Sequence, residues 1–240
     1  MDANWIKIIE VYGRKEGFTR EAFLAYQSGP HMKNAGKVPE FCGRIRNSYQ
    51  GTVILPEAYP EIAAVNQLPD TDRKDSVVEI YFDSPEEAFA AFHEPRYLEI
   101  VRADEEYFSD AKNGWSVMAN EHILYEDETE GHFLMYLFWK WDASNTSLQN
   151  AWSKDKQDIT GLGKMLNTVM ISENIRIPDK ALDNGRDYDL VLKLAFTSED
   201  DLLEAVRSRK LHSYLMDRAY IDRDTLITYC AEEKRAVPIS

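Results

Sequence analysis

The feature that most constrains this chain is a segment written twice. Phe82 onward reads FDSPEEAFAAFHEPRYL, and Phe196 onward reads FTSEDDLLEAVRSRKLH. In both, a strand-end Phe precedes a capping serine, an acidic first turn, an apolar helical stripe and a basic residue (Arg96, Lys210). The caps Ser84 and Ser198 lie 198 − 84 = 114 residues apart. Pro85 at the first helical position and Glu87 completing a capping box make the first copy a strong helix start. A strand–helix unit repeated at a fixed offset implies an internal duplication, hence two copies of one small fold.

The rest of the chain supplies the other elements of such a unit. WIKIIEVY (Trp5–Tyr12) is β-rich and predicts a first strand. Thr19 caps a helix whose apolar stripe is Ala22, Phe23 and Tyr26, and Gly29-Pro30 interrupts its hydrogen-bond ladder. A long strand is predicted over Phe41–Leu55 with a break near Gln50-Gly51, then an irregular excursion over 56–74, a strand at Ser76–Phe82, the repeated helix, and a strand at Gly114–Tyr125. In the second half, strands are predicted over His132–Trp141, Lys164–Arg176, Tyr188–Phe196 and Thr225–Ala231, with helices over Thr146–Asp158 and Ser198–Arg207. Each half therefore reads β-α-β-β-α-β, the ferredoxin-like order. The predicted class is α+β, with a first repeat over 1–126 that carries the site and a second, diverged repeat over 131–240. A sheet with helices on one side leaves its other face bare, and two such sheets can bury those faces together, within one chain or between chains. The mixed face that pairs Glu79 with Tyr81 predicts a semi-polar cavity between the sheets.

A formal charge of −14 opposes a nucleic-acid partner, which needs a basic face. No apolar run approaches the roughly 18 residues of a spanning helix, and the N-terminus lacks a basic stretch followed by a long apolar one. Cys42 and Cys230 lie in different halves without metal spacing, which predicts buried thiols in a reduced, cytoplasmic protein. His93, His122, His132 and His212 show no HExxH or HxH pattern, so no metal is expected. Gly161-Leu-Gly163 lacks the residues of a phosphate loop, and no GxSxG elbow is present.

Four stretches together resemble the EthD-like family of the dimeric α+β barrel superfamily. They are IKIIEVYGRKEGFT (Ile6–Thr19), Gly29-Pro30-His31, VEIYFDSPEE (Val78–Glu87) and the acidic, Phe-containing ADEEYFSD (Ala103–Asp110). The resemblance covers the first half; the second lacks the Gly-Pro-His, and the family usually has His-Ala-Pro where this chain reads Pro30-His31-Met32. It implies a ferredoxin-like barrel with a cavity between sheet and helices. It also implies cofactor-independent isomerase, lyase, dehydratase or cyclase chemistry on polyketides or aromatic-degradation intermediates, with a histidine near position 31 as acid or base.

His31 is the leading catalytic candidate, because imidazole titrates near working pH and Gly-Pro stiffens the backbone that carries it. Tyr49 and Tyr12, on strands flanking that segment, are the candidate donors to a developing oxyanion, and Tyr81 is a further phenol for the substrate. Arg14, Arg44 and Arg46, concentrated at the start of an acidic chain, are candidate anchors for a substrate carboxylate. Asp104 and Asp110 are candidates to orient the histidine or to act as a second base, and Asp104 is also a candidate substrate-binding residue. The expected function is proton transfer, or hydrolysis of an activated ester, on a small anionic molecule of ring-cleavage or polyketide type, with neither cofactor nor metal. The alternatives are a cofactor-free or haem-using oxygenase on the same barrel, and a non-catalytic binding or stress protein. A homodimer is a further expectation.

Overall fold

The computed structural model describes residues 5–57, 74–141, 148–178, 187–216, 218 and 220–235. Most of the expected excursion over 56–74 lies outside them. Eight antiparallel strands close into a barrel: β1 (Ile6–Tyr12), β2 (Asn47–Val53), β3 (Ser76–Phe82), β4 (Trp115–Glu126), β5 (Phe133–Trp141), β6 (Met170–Arg176), β7 (Leu190–Phe196) and β8 (Ile221–Arg235). Each half contributes four neighbours in the same order, β4-β1-β3-β2 and β8-β5-β7-β6, and the seams are the pairs β2–β8 and β4–β6. The barrel thus closes within one chain.

The helices lie outside. The first half carries α1 (Arg20–Tyr26), a π-helical turn Gln27–His31, α2 (Met32–Ala35), α3 (Pro39–Cys42), α4 (Pro85–Phe92), a second π-helical turn Tyr97–Arg102 and α5 (Ala103–Phe108). The second half carries α6 (Leu148–Asp155), α7 (Ile159–Leu166), α8 (Glu199–Arg207) and α9 (Arg209–Met216). The caps form as expected: Thr19 accepts from the Ala22 N–H, Ser84 from Glu87 and Ser198 from Asp201. Three elements differ from expectation. Phe41 and Cys42 are helical, so β2 begins only at Asn47; Pro39 at the first helical position starts that short helix. The segment from Lys164 is still α7, which ends at Asn167 in the left-handed region (φ 56°), and β6 begins at Met170. Gly29-Pro30 widens the helix into a π turn instead of ending it, since one wide turn absorbs the missing proline N–H.

Strand alternation sorts the residues into three cores. Ile9, Val11, Val77, Val117 and Ala119 face the barrel interior, where they pack against Tyr136, Phe138, Val191 and Tyr229. Ile6, Ile8, Ile80, Phe82 and Met118 face the first set of helices. Leu137, Trp139, Leu192 and Leu194 face the second set. The expected semi-polar chamber between the sheets is not a chamber. Glu79 and Tyr81 do point inward, but into a fixed ionic network: Glu79 takes Lys7 at 3.1 Å and Lys193 at 2.9 Å, and Lys7 also pairs with Glu121. Burial alone would raise the Glu79 carboxyl, but Lys193 and Lys7 outweigh it and hold it well below the usual range.

Both cysteines are buried and unpaired, and burial pushes the Cys230 thiol up to about 12. No helix among the described residues is long and apolar enough to cross a membrane.

Candidate active site

A cavity of about 90 Å³ opens between the outer face of β1–β3 and the helices of the first half. Roughly 10–15 Å³ of such space holds one water, so this one holds several waters or part of a small organic molecule. Its position follows from two residues. At the register of Glu10 (opposite Val78) β5 carries Leu137 (opposite Leu192), and at that of Tyr12 (opposite Ser76) it carries Trp139 (opposite Leu190). In the second half Leu137 and Trp139 pack with Trp152 and Tyr220 and fill the corresponding space. Where β1 carries Glu10 and Tyr12, the space stays open, with these polar groups set in a largely apolar wall.

The helical wall is built by the two π turns. Gln27 and His31 are the first and last residues of one, so both look into the cavity; Val101 and Arg102 close the other. π turns are common at functional sites because they aim side chains a regular helix would splay. His31 Nδ1 lies 2.9 Å from Asp104 Oδ2, and the other Asp104 oxygen accepts from Tyr26 Oη at 2.7 Å. A carboxylate accepts only, so Nδ1 is the protonated nitrogen and Nε2, which has no hydrogen-bond partner among the described residues, is the basic one. The ring rests on Phe108, centroids 5.0 Å apart. Donation to Asp104 raises the Tyr26 phenol to about 12, with burial adding to it.

The sheet wall is a chain of amides and hydroxyls. Gln50 donates to the Gln27 carbonyl, and Gln27 donates to Tyr12 Oη and, at 3.0 Å, to Ser76 Oγ. Burial, with Glu10 and Glu105 nearby, raises the Tyr12 hydroxyl well above its ordinary value, so it remains a donor. Glu105 accepts from Tyr97 Oη and from Arg102, each at 3.0 Å. Burial first, then the Glu105 charge, pushes Glu10 up to about 8 against a weaker opposing pull from Arg102. Glu10 is partly exposed, and what it is exposed to is this cavity.

His31, Tyr12 and Asp104 therefore meet at one place. Tyr49 and Tyr81 do not join them, because odd positions of β2 and β3 face the barrel interior; Tyr49 accepts from Asn47 and stacks edge-on against Tyr81. The arginines also stand elsewhere. Arg14 pairs with Asp75 at 2.7 Å, Arg44 with Glu87, and Arg46 with Asp83. Arg44 and Arg46 precede β2, so no strand aligns them on one face. Glu10, Gln27, Gln50, Arg102 and Glu105 were not anticipated. A carboxyl at an even position of β1, in register with Ile6 and Ile8, was the one available signal. Among the described residues no group of three or more His, Cys, Asp or Glu could hold a metal.

Residues 15–112 match the family model described as EthD domain. The matched span takes up most of the first half of the chain. The site lies almost wholly within it: His31 and Asp104 fall inside, while Glu10 and Tyr12 on β1 stand just ahead of the matched span. A comparison with curated protein sequences gives no match. Solved structures match the fold over nearly the full chain. An anthrone oxidase-like protein aligns at TM-score 0.56 and 8% identity, covering 98% of this chain and 94% of its own. A candidate monooxygenase from Lactobacillus acidophilus NCFM aligns at 0.53 and 7%, covering 98% and 97%. A variant of chlorite dismutase from Candidatus Nitrospira defluvii aligns at 0.50 and 10%, covering 97% and 92%. At these identities the likeness concerns the fold.

Proposed function

We propose that this protein is an enzyme that removes a proton from a small, enolisable carbonyl compound of polyketide or aromatic-catabolism type. One observation carries the reading: an imidazole fixed through Nδ1 by Asp104, itself held by Tyr26, lines a cavity whose other wall carries Glu10 and Tyr12. His31 Nε2 takes the proton as general base, and the Asp104 carboxylate stabilises the imidazolium that forms. Negative charge moves to the substrate oxygen, where Tyr12 is the nearest un-ionised donor and the Gln27–Gln50 chain holds that hydroxyl in place.

The substrate this cavity suits is uncharged. Every arginine named as a carboxylate anchor is engaged outside the cavity, and Arg102, which lines it, is paired with Glu105. An anionic group would meet Glu105 with no unengaged cation on the cavity wall to offset it.

A carbanion formed here has two fates, reprotonation or reaction with dioxygen. The names of the fold neighbours, monooxygenase and anthrone oxidase-like, belong to the second, which needs the same base and donor. Haem does not suit the described residues. An axial ligand needs an unengaged nitrogen above a broad apolar slot. The His31 cavity, at about 90 Å³, is too small for a macrocycle, the corresponding second-half space is filled, His93 stacks on Phe89, and His122 and His132 lie on the surface.

The test is hydrogen–deuterium exchange at the acidic carbon of anthrone and of cyclohex-3-enone in heavy water, with oxygen uptake recorded alongside. Wild type exchanges and His31→Ala falls by a hundredfold or more, as expected for a lost general base at about 10²–10⁴. A folded His31→Ala variant that exchanges at the wild-type rate would remove the base from the account.

A further inference from the structure

We propose that Glu10 is a second proton-transfer group, delivering a proton to the substrate from the sheet wall of the cavity while His31 removes one from the helical wall. The inference rests on the reading of His31 as base and adds to it a donor and a direction.

Three structural facts point there. Glu10 projects outward from the middle of β1 between Val78 of β3 and Ser116 of β4, so it forms the floor over which the helices close. Next on the same face are the apolar Ile8 on one side and Tyr12 on the other, and β5 carries Leu137 at this register, so a carboxyl is not what the packing needs. The titratable groups facing it are Tyr12 on its own strand, Arg102 and Tyr97 on the second π turn, Glu105 on α5, and His31 across the cavity. Glu105 accepts from both Tyr97 and Arg102, while burial and the nearby Glu105 charge favour the protonated form of Glu10. A carboxylic acid held neutral at neutral pH, with a partly exposed face on a cavity that also holds a base, is a proton donor by geometry and by charge.

The step balances without an oxidant. His31 Nε2 accepts the proton from the carbon next to the carbonyl, and the C–H electron pair passes into a dienolate. The Glu10 O–H then gives its proton to the γ carbon, where the dienolate pair forms the new C–H bond. Glu10 regains a proton from solvent and the imidazolium returns one, so the net change is an allylic shift of a double bond. Removal and delivery come from different walls, so the hydrogen that enters the product comes from solvent.

Cyclohex-3-enone in heavy water reads both halves of this step, exchange at C2 and conversion to the conjugated enone. Glu10→Gln keeps the shape of the side chain and is expected to lose isomerisation about a hundredfold while exchange falls less than about tenfold, and His31→Ala loses both. Carbon-13 spectra of δ-labelled glutamate supply a readout that needs no substrate. One resonance titrates near 8, is absent in Glu10→Gln, and moves down in Glu105→Gln. Isomerisation by Glu10→Gln at the wild-type rate, or a Glu10 resonance titrating in the ordinary carboxyl range, overturns this inference and leaves His31 as base. Wild-type protein that exchanges no C2 hydrogen overturns the reading beneath it, and the inference with it.

Discussion

Replacing Glu10 by Gln should make the protein more stable, and by an amount that depends on pH. The folded protein holds this carboxyl at about 8, against an ordinary value of 4.5, because burial and the Glu105 charge disfavour its ionised form. A group raised on folding costs nothing below its unfolded pKa, where both states bind the proton. Its penalty grows as pH rises toward the folded pKa and is then complete. At pH 7 the unfolded carboxyl is ionised and the folded one is not, a difference of about 2.5 pH units from the ordinary value. At 1.36 kcal/mol per unit that is about 3 kcal/mol. Glutamine has nearly the same shape and no charge, so it removes this penalty while keeping the wall of the cavity. Urea denaturation of both proteins at pH 4.5, 7 and 9 measures it. The gain of Glu10→Gln over wild type should be small at pH 4.5, about 3 kcal/mol larger at pH 7, and level above about pH 8. A stability difference that stays flat across this range would mean that Glu10 ionises as an ordinary surface carboxyl, and the electrostatic account of the cavity would fail.

Three further outcomes follow from named contacts. Asp104→Asn keeps the volume but supplies an amide where the imidazole needs a carboxylate, so exchange of cyclohex-3-enone should fall about 10²-fold with Tm little changed; a wild-type rate would leave Asp104 no positioning role. Lys193→Met leaves Glu79 with Lys7 as its one close cationic partner in the barrel interior and should cost about 3–5 kcal/mol in urea denaturation, a loss that Lys193→Met with Glu79→Leu should partly recover. Tyr49→Phe should leave exchange at the wild-type rate, since its hydroxyl serves Asn47 inside the barrel; a tenfold loss would place it in the cavity after all.

The parts of this molecule legible in the sequence are those governed by near neighbours. The capping serines at 84 and 198 and the alternation of IKIIEVY depend on spacings of two to four residues. His31 stood out because Gly29-Pro30 restrains the backbone before it, although the restraint takes the form of a widened turn, not a stop. What joins distant residues was not legible. Lys193 meets Glu79 across 114 positions and no local pattern encodes that pair; Asp104, which meets His31 across 73, was named as a candidate to orient it, but no spacing encodes that contact either. The arginines misled for the same reason: a cluster in sequence (Arg14, Arg44, Arg46) is dispersed by the fold onto Asp75, Glu87 and Asp83. Tyr49 and Tyr81 misled by parity alone, one residue's step along a strand separating barrel interior from cavity.

The most direct measurement is the nitrogen-15 spectrum of the His31 imidazole near neutral pH, assigned with His31→Ala. With Nδ1–H donated to Asp104, the spectrum should show a protonated Nδ1 and a bare, basic Nε2 for the neutral ring, and Asp104→Asn should disturb that preference. A neutral ring protonated at Nε2, or one averaging freely between tautomers, would mean that no base faces the cavity.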